Sequence, residues 1–284
     1  MDFLAALDFR SLGLSPELFS LGPFSLFGSE WGPFALRWYS LAYIGGIVGG
    51  WWLITRMLRR PGGPLTTEQM DGFITWVTLG VILGGRLGYV LFYNLEKYLA
   101  EPLAIFRLWD GGMSFHGGAA GVIIACLLYG RNQGFPGIRL LDYVAAVQPL
   151  GQGLGRIANF INGELYGRVT GSDWGIIFPD GGPLPRHPSQ LYEGALEGVV
   201  LFAVLQLLFW RSDARLRPGL LAGVYGVGYG VSRFIVEWFR QPDAQLAGFT
   251  ADLGISMGQL LSLPLVLAGA VLIAWSLKRT PVPA

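Results

Sequence analysis

Three blocks of the 284-residue chain carry ionisable side chains inside otherwise apolar sequence. GRIANFINGELYG, residues 155–167, puts Arg156, Asn159 and Gly163 on one helical face, with Asn162 and Glu164 just beyond. In SRFIVEWFRQ, Arg233, Glu237 and Arg240 recur at i, i+4 and i+7 on one face. DGGMSFHGGAAG sets His116 among glycines that permit close approach of a backbone or a ligand. An ionisable group inside a membrane span costs from about 2.5 to more than 10 kcal/mol, so such residues are functional candidates. Arginines without matching carboxylates would recognise phosphate through forked, charge-assisted hydrogen bonds. A neutral histidine beside them could take a proton at physiological pH. In a membrane the available phosphate is a phospholipid headgroup, and the combination reads as a lipid-modifying enzyme. HExxH, GxSxG and Walker sequences are absent, which leaves hydrolysis by those routes unsupported.

Each residue also has a structural reading. Arg233 and Glu237 could simply neutralise each other as an i,i+4 pair. Arg156 could be paired with Glu164, Glu193 or Glu197. Arg86, in GGRLGYVLFY, could snorkel or fix helix packing as readily as touch substrate. His187, in RHPSQLYE, stands before a proline and could anchor a loop or a helix start.

The elements that position these residues are membrane helices. Asp, Glu, Lys and Arg make up only 14% of the chain, against roughly 25% in soluble domains, and hydrophobic residues make up 52%. A net charge of +1 offers no basic field for nucleic acid. The single cysteine, Cys126, excludes a disulfide framework and reads as a buried hydrophobe, while two histidines make a multi-histidine zinc site untenable. No metal or cofactor is expected. The acidic N-terminus, with Asp2 and Asp8, does not read as a signal peptide.

Spans of about 20 apolar residues predict an all-α, polytopic integral membrane protein with about seven transmembrane helices. They lie between Arg37 and Arg56, from Gly72 to Leu95, between Asp110 and Arg131, from Asp142 to Gly163, from Ser189 to Trp210, from Pro218 to Phe239, and from Leu253 to Leu277. Alternate connections hold Arg56, Arg59 and Arg60, then Arg131 and Arg139, then Arg211, Arg215 and Arg217, then Lys278 and Arg279. By the positive-inside rule the N-terminus lies outside and the C-terminus in the cytoplasm. Residues 1–36, 94–113 and 164–188 become extracytoplasmic segments of a single domain, 1–284. The last is rich in Gly and Pro and could be a small irregular unit or a lid.

At these residues the sequence resembles the bacterial prolipoprotein diacylglyceryl transferases over nearly its whole length. GRIANFINGE, continuing to Gly167, looks like the family signature. RWYS with Tyr39, GGRLGYVLFYN with Arg86, WDGGMSFHGG with His116, RHPSQLYE, SRFIVEWFRQPDAQ and ISMGQ are further family-like blocks in order. The resemblance implies transfer of a diacylglyceryl group from phosphatidylglycerol to the lipobox cysteine of a prolipoprotein signal peptide, with release of glycerol 1-phosphate. It implies His116, Arg156, Arg233 and Tyr39 as catalytic positions. Together with the residue reading, it makes Arg156, Asn159, Asn162, Glu164, Glu237, Arg240 and Arg86 substrate-binding. The protein would be a monomer in the bacterial inner membrane, and its acceptor thiol would belong to the substrate rather than to Cys126. A polytopic transporter and another phospholipid-using transferase are the alternatives; the absence of a repeat between the halves counts against the transporter.

Overall fold

A computed structural model describes residues 6–241 and 255–283. Its long helices fall where the apolar runs predict them: α1 (Trp38–Leu58), α2 (Thr67–Tyr93), α4 (Phe115–Gln133), α5 (Ile138–Ile161), α8 (Leu220–Val236) and α9 (Met257–Leu277). A further continuous helical stretch, Ser189–Arg211, consists of α6 (Ser189–Glu193), a π-helical segment (Gly194–Val200) and α7 (Leu201–Arg211). Four of these, α1, α2, Ser189–Arg211 and α9, are long and apolar enough to cross a membrane. α8 is apolar but shorter. α5 carries Arg139, Asp142, Gln148, Gln152, Arg156 and Asn159, a polarity tolerable only because it runs through the middle of the bundle. There it packs against α1, α4, α6, α7 and α8. Residues 253 and 254, in the seventh predicted span, lie outside the described residues.

Lipid tails supply no hydrophobic force between helices, so close backbone approach must supply contact instead. Glycine makes that possible. α2 and α4 cross on Gly80, Gly84 and Gly88 against Gly117 and Gly121; a Cβ on Gly84 would stand 2.9 Å from Gly121 Cα. α1 meets α5 at Gly46 and Gly151, and α5 meets the π segment at Gly153 and Gly198. Between α5 and α8 the tie is polar. Asp142 accepts the Gly219 N–H at 2.7 Å and the Ala222 N–H at 2.8 Å, capping α8 from a neighbouring helix and fixing how the two lie together.

The chain is mostly helical, as expected, and the segments outside the long helices add short strands. Residues 17–37 form an antiparallel ribbon in which β2 (Glu17–Leu21) pairs with β5 (Phe34–Arg37) and β3 (Phe24–Leu26) with β4 (Ser29–Trp31). β1 (Leu7–Asp8) pairs in parallel with β6 (Ile176–Ile177), so the N-terminus is stitched to the connection 164–188. Phe9 packs there with Ile176 and Phe178, against Phe160 and Tyr166. Residues 94–113 are short helical turns, α3 (Leu95–Ala100), Pro102–Phe106 and Leu108–Asp110. Frequent Gly and Pro announced breaks in the spans here but not the pairing partners, of which β1 and β6 lie far apart in the chain.

Candidate active site

The end of α5 is built by its sequence. Gly163 adopts φ 68°, a left-handed conformation that terminates the helix without a Cβ penalty, and Gly163 and Glu164 donate their N–H groups back to Phe160 and Asn159. That turn places Glu164 over the last helical residues. Its Oε1 accepts from Asn159 Nδ2 at 2.8 Å and from Asn162 Nδ2 at 3.2 Å. The start of α6 holds the same turn from the other side. Gln190 donates to the Glu164 carbonyl at 2.5 Å, and Ser189 donates to the Leu165 carbonyl at 3.2 Å; both side chains are fully buried.

Beneath this mouth lies a layered ion cluster. Arg156 Nε stands 2.5 Å from Glu193 Oε2, and its NH2 is 3.9 Å from Glu197. Arg233 reaches Glu193 Oε2 at 3.6 Å and Glu237 at 3.1 Å. Arg240 reaches the other Glu193 oxygen at 3.1 Å and Glu237 at 3.8 Å. One carboxylate, Glu193, is therefore shared by three guanidinium groups. Glu193 and Glu197 keep 1% and 0% side-chain exposure, while Arg156 and Arg233 keep 17% and 18%. The carboxylates and Arg240 are buried, and the partial exposure of the cluster lies on Arg156 and Arg233. In formal charge three arginines stand against three glutamates, a balance that limits the desolvation cost of a buried set of this size. The π-helical segment follows Glu193 directly and carries Glu197 toward Arg156 and Gln152, which donates to Glu197 at 2.9 Å.

This arrangement corrects the picture of arginines lacking matched carboxylates. Arg156 takes the paired alternative with Glu193 and Glu197, and Arg233 forms its i,i+4 pair with Glu237 without that pair being the whole network. Glu193, Glu197, Ser189 and Gln190 are the members that site selection from the sequence missed. The two glutamates were legible as possible partners of Arg156, but not as members of the site.

Three expected site residues stand outside the cluster. Arg86 is buried, and its Nε, NH1 and NH2 donate to the carbonyls of Ile105, Gly111, Gly112, Ala104 and Arg107. Its donors are occupied by backbone, so the geometry gives it the packing role of fastening residues 104–112 to α2. His116 opens α4 with its side chain exposed, its ring 5.7 Å from that of Phe115. Tyr39 is half-buried in the first turn of α1, 5.3 Å from the ring of Tyr43. Among the described residues no hydrogen bond or ion pair joins either one to the cluster.

Residues 164–188 are docked over α8's end rather than loose. Arg168 donates to the carbonyls of Phe239 and Arg240, and Arg186 reaches the Gln241 side chain. His187 contacts the Tyr192 hydroxyl at 3.2 Å and packs edge-on to Phe239, and burial lowers its pKa from the ordinary histidine value. Cys126 is fully buried. Beside the cluster, an apolar groove of about 270 Å³ runs between the π segment, α7, α8 and α9, lined by residues that include Leu196, Val200, Val227 and Ser232.

Apolar helices long enough to cross a membrane, packed around a buried cluster of arginines and glutamates, define a polytopic membrane protein with an ionic centre. The family model described as prolipoprotein diacylglyceryl transferase matches residues 27–275, and the chain belongs to that family. It is 50% identical over 275 residues to a relative from Zymomonas mobilis, covering 97% of this chain and 95% of that one. It is 54% identical to one from Rhodospirillum rubrum over 89% and 92% of the two chains, and 53% identical to one from Paramagnetospirillum magneticum over 87% and 92%. All three carry the name phosphatidylglycerol–prolipoprotein diacylglyceryl transferase.

Proposed function

We propose that this chain transfers the diacylglyceryl group of phosphatidylglycerol to the lipobox cysteine of a prolipoprotein, the first step of lipoprotein maturation. In that reaction the cysteine sulfur bonds to C3 of the diacylglycerol, the C3–O bond to phosphate breaks, and the electron pair leaves with glycerol 1-phosphate. The thiol proton must go to a base, and the phosphate gains charge as it departs. The observation that carries the reading is the pair Arg156 and Arg233, both held by Glu193 and both still partly exposed. Guanidinium groups held from below are preorganised for an oxyanion, and losing one such donor typically costs about 10²–10³ in rate. Glu237 and Glu193 orient Arg233 and Arg240; Asn159, Asn162 and Glu164 form the rim that meets the headgroup or peptide; the neighbouring groove accommodates an acyl chain.

His116 is the proposed proton acceptor, with Tyr39 in support, and both act once lipid and peptide bridge them to the cluster. Arg86 supports the site by holding residues 104–112. The chain works as a monomer spanning the inner membrane seven times, with its N-terminus and the segments 1–36, 94–113 and 164–188 outside and its C-terminus in the cytoplasm. The test is incubation of purified protein with phosphatidylglycerol and a lipobox peptide. A mass gain of one diacylglyceryl on cysteine with release of glycerol phosphate is expected; solute counterflow without that product would favour a transporter. His116→Gln should abolish transfer while sparing lipid binding, and loss of lipid binding would reassign it to the headgroup.

A further inference from the structure

The ribbon β2–β5 precedes the first helix and takes no part in the proposed chemistry; its first two strands lie before the residues that the family model matches. From Leu18 to Ser29 it contains no charged residue, LFSLGPFSLFGS, although it lies outside every helix. Its one internal ion pair, Arg37 with Glu17, sits at the base where β5 runs into α1. The pairing register sets Phe19 opposite Leu36, Ser20 opposite Ala35 and Leu21 opposite Phe34. Directly paired residues share a face and neighbours alternate, so Phe19, Leu21, Phe34 and Leu36 form one face and Ser20 and Ala35 the other. Phe19, Leu21 and Phe34 are 49–57% exposed, as are Trp31 and, nearly so, Phe24 at 47%. None of them belongs to a hydrophobic cluster of the fold.

This apolar face runs into the exposed apolar surface of a helix long and apolar enough to cross a membrane. β5 ends at Arg37 and α1 begins at Trp38, and α1 exposes Ile44, Ile47, Val48, Trp51 and Trp52, a stripe at helical spacing whose length suits a bilayer. The backbone then fixes the depth. A two-stranded ribbon leaves the outer N–H and C=O groups of both strands without ladder partners, which the hydrocarbon core forbids. Water is equally unsuited to an uncharged row of Phe, Leu and Trp, and the headgroup region, where amphipathic aromatic rings concentrate, satisfies both demands.

We propose that the ribbon is an interfacial arm whose Phe19–Leu21–Phe34–Leu36 face lies in the outer leaflet of the bilayer, with Ser20 and Ala35 turned to water. The occupant of this face is phospholipid, at the boundary between headgroups and acyl chains. The arm joins α1 to the β1–β6 pairing, and so ties the outer unit over the ion cluster to a fixed height on the membrane.

Single-cysteine variants at Leu21, Phe34, Ser20 and Ala35, each carrying a nitroxide, test this in proteoliposomes of phosphatidylglycerol and phosphatidylethanolamine. Cys126 is buried and stays unlabelled. Collisions with oxygen should exceed those with a water-soluble nickel chelate at 21 and 34, and the order should reverse at 20 and 35. Equal access of the chelate to all four sites would overturn the proposal. So would spin–spin broadening at 21 and 34 that disappears on dilution with unlabelled protein, because a second copy would then cover the face. The unmodified chain supplies a control against misfolded variants. Photolysis with a diazirine lipid bearing its probe near the headgroup should leave adducts on Phe19, Leu21 or Phe34, and adducts confined to Ile44 and Ile47 of α1 would refute the arm.

Discussion

Glu193→Gln removes one charge from the middle of the ion cluster and leaves almost every atom in place. Before the change, Glu193, Glu197 and Glu237 balance Arg156, Arg233 and Arg240; afterwards one positive charge is uncompensated. Glu193 is fully buried and its two oxygens lie 2.5, 3.6 and 3.1 Å from three guanidinium groups. Unit charges 4 Å apart interact by about 4 kcal/mol at the effective dielectric constant typical near a protein surface, and part of that is returned as desolvation. Breaking one buried pair by removing a partner typically costs about 3–5 kcal/mol, and the same range is expected here as lost resistance to thermal inactivation in detergent.

The kinetic consequence separates positioning from binding. With the anion gone, the cluster carries net positive charge and still binds a phosphate, so KM for phosphatidylglycerol should stay level or fall. Arg156 and Arg233 lose their common anchor, and kcat should drop by about 10²–10³, the loss expected for one misplaced preorganised donor. Glu193→Asp should recover part of kcat because it restores the charge. Adding Arg240→Gln to Glu193→Gln restores neutrality, and should recover stability but not rate, a non-additivity that a double-mutant cycle measures. A kcat within about threefold of the parent, or a raised KM at unchanged kcat, would refute the argument, since uniform binding alone would then be affected.

Three further outcomes follow from the fold. Arg86→Gln leaves several of five backbone carbonyls without a donor, at about 1–3 kcal/mol for each buried one; proteolysis should then cut residues 101–112 first, and unchanged protease resistance would argue against the clamp. Gly84→Val puts a Cβ 2.9 Å from Gly121 Cα, backbone against backbone, so α2 and α4 must separate; overpacking costs of about 1–3 kcal/mol or more should appear as loss of monodisperse protein, whereas Gly155→Ala, in open space, should be tolerated. Burial lowers the His187 pKa, so its neutral form is favoured in the fold and the associated stability is present above the unfolded value of 6.5 and lost as pH falls through the folded value. Hydrogen exchange at the Gly167 and His187 amides, paired with the His187 and Arg168 carbonyls, should therefore lose protection on acidification in the parent but not in His187→Gln.

The parts of the structure that could be read from the sequence are those governed by local rules. Helix positions follow from apolar runs, and the Arg233–Glu237 contact follows from i,i+4 spacing on one helix. The glycines beside His116 mark a close crossing, and Gly117 and Gly121 indeed meet α2 backbone to backbone. The parts that could not be read are tertiary choices among equivalent partners. Arg156 had three carboxylates within plausible reach and takes the two that α6 and the π segment deliver, 37 and 41 residues further along the chain. Glu164, only eight residues away, binds amides instead. The choice depends on backbone geometry that composition does not encode: the αL turn at Gly163 lifts Glu164 over the mouth, and the π-helical segment beyond Glu193 sets the direction of Glu197. Arg86 shows the converse. Its sequence neighbourhood, GGRLGY, is as suggestive as that of Arg156, yet residues 104–112 curl back and present five carbonyls to it, which leaves its guanidinium no donor for phosphate. What separates the arginines proposed to meet substrate from Arg86 in this bundle is the kind of partner that holds them. Carboxylates pair Arg156 and Arg233 and leave their side chains partly exposed, whereas backbone carbonyls take up the donors of buried Arg86.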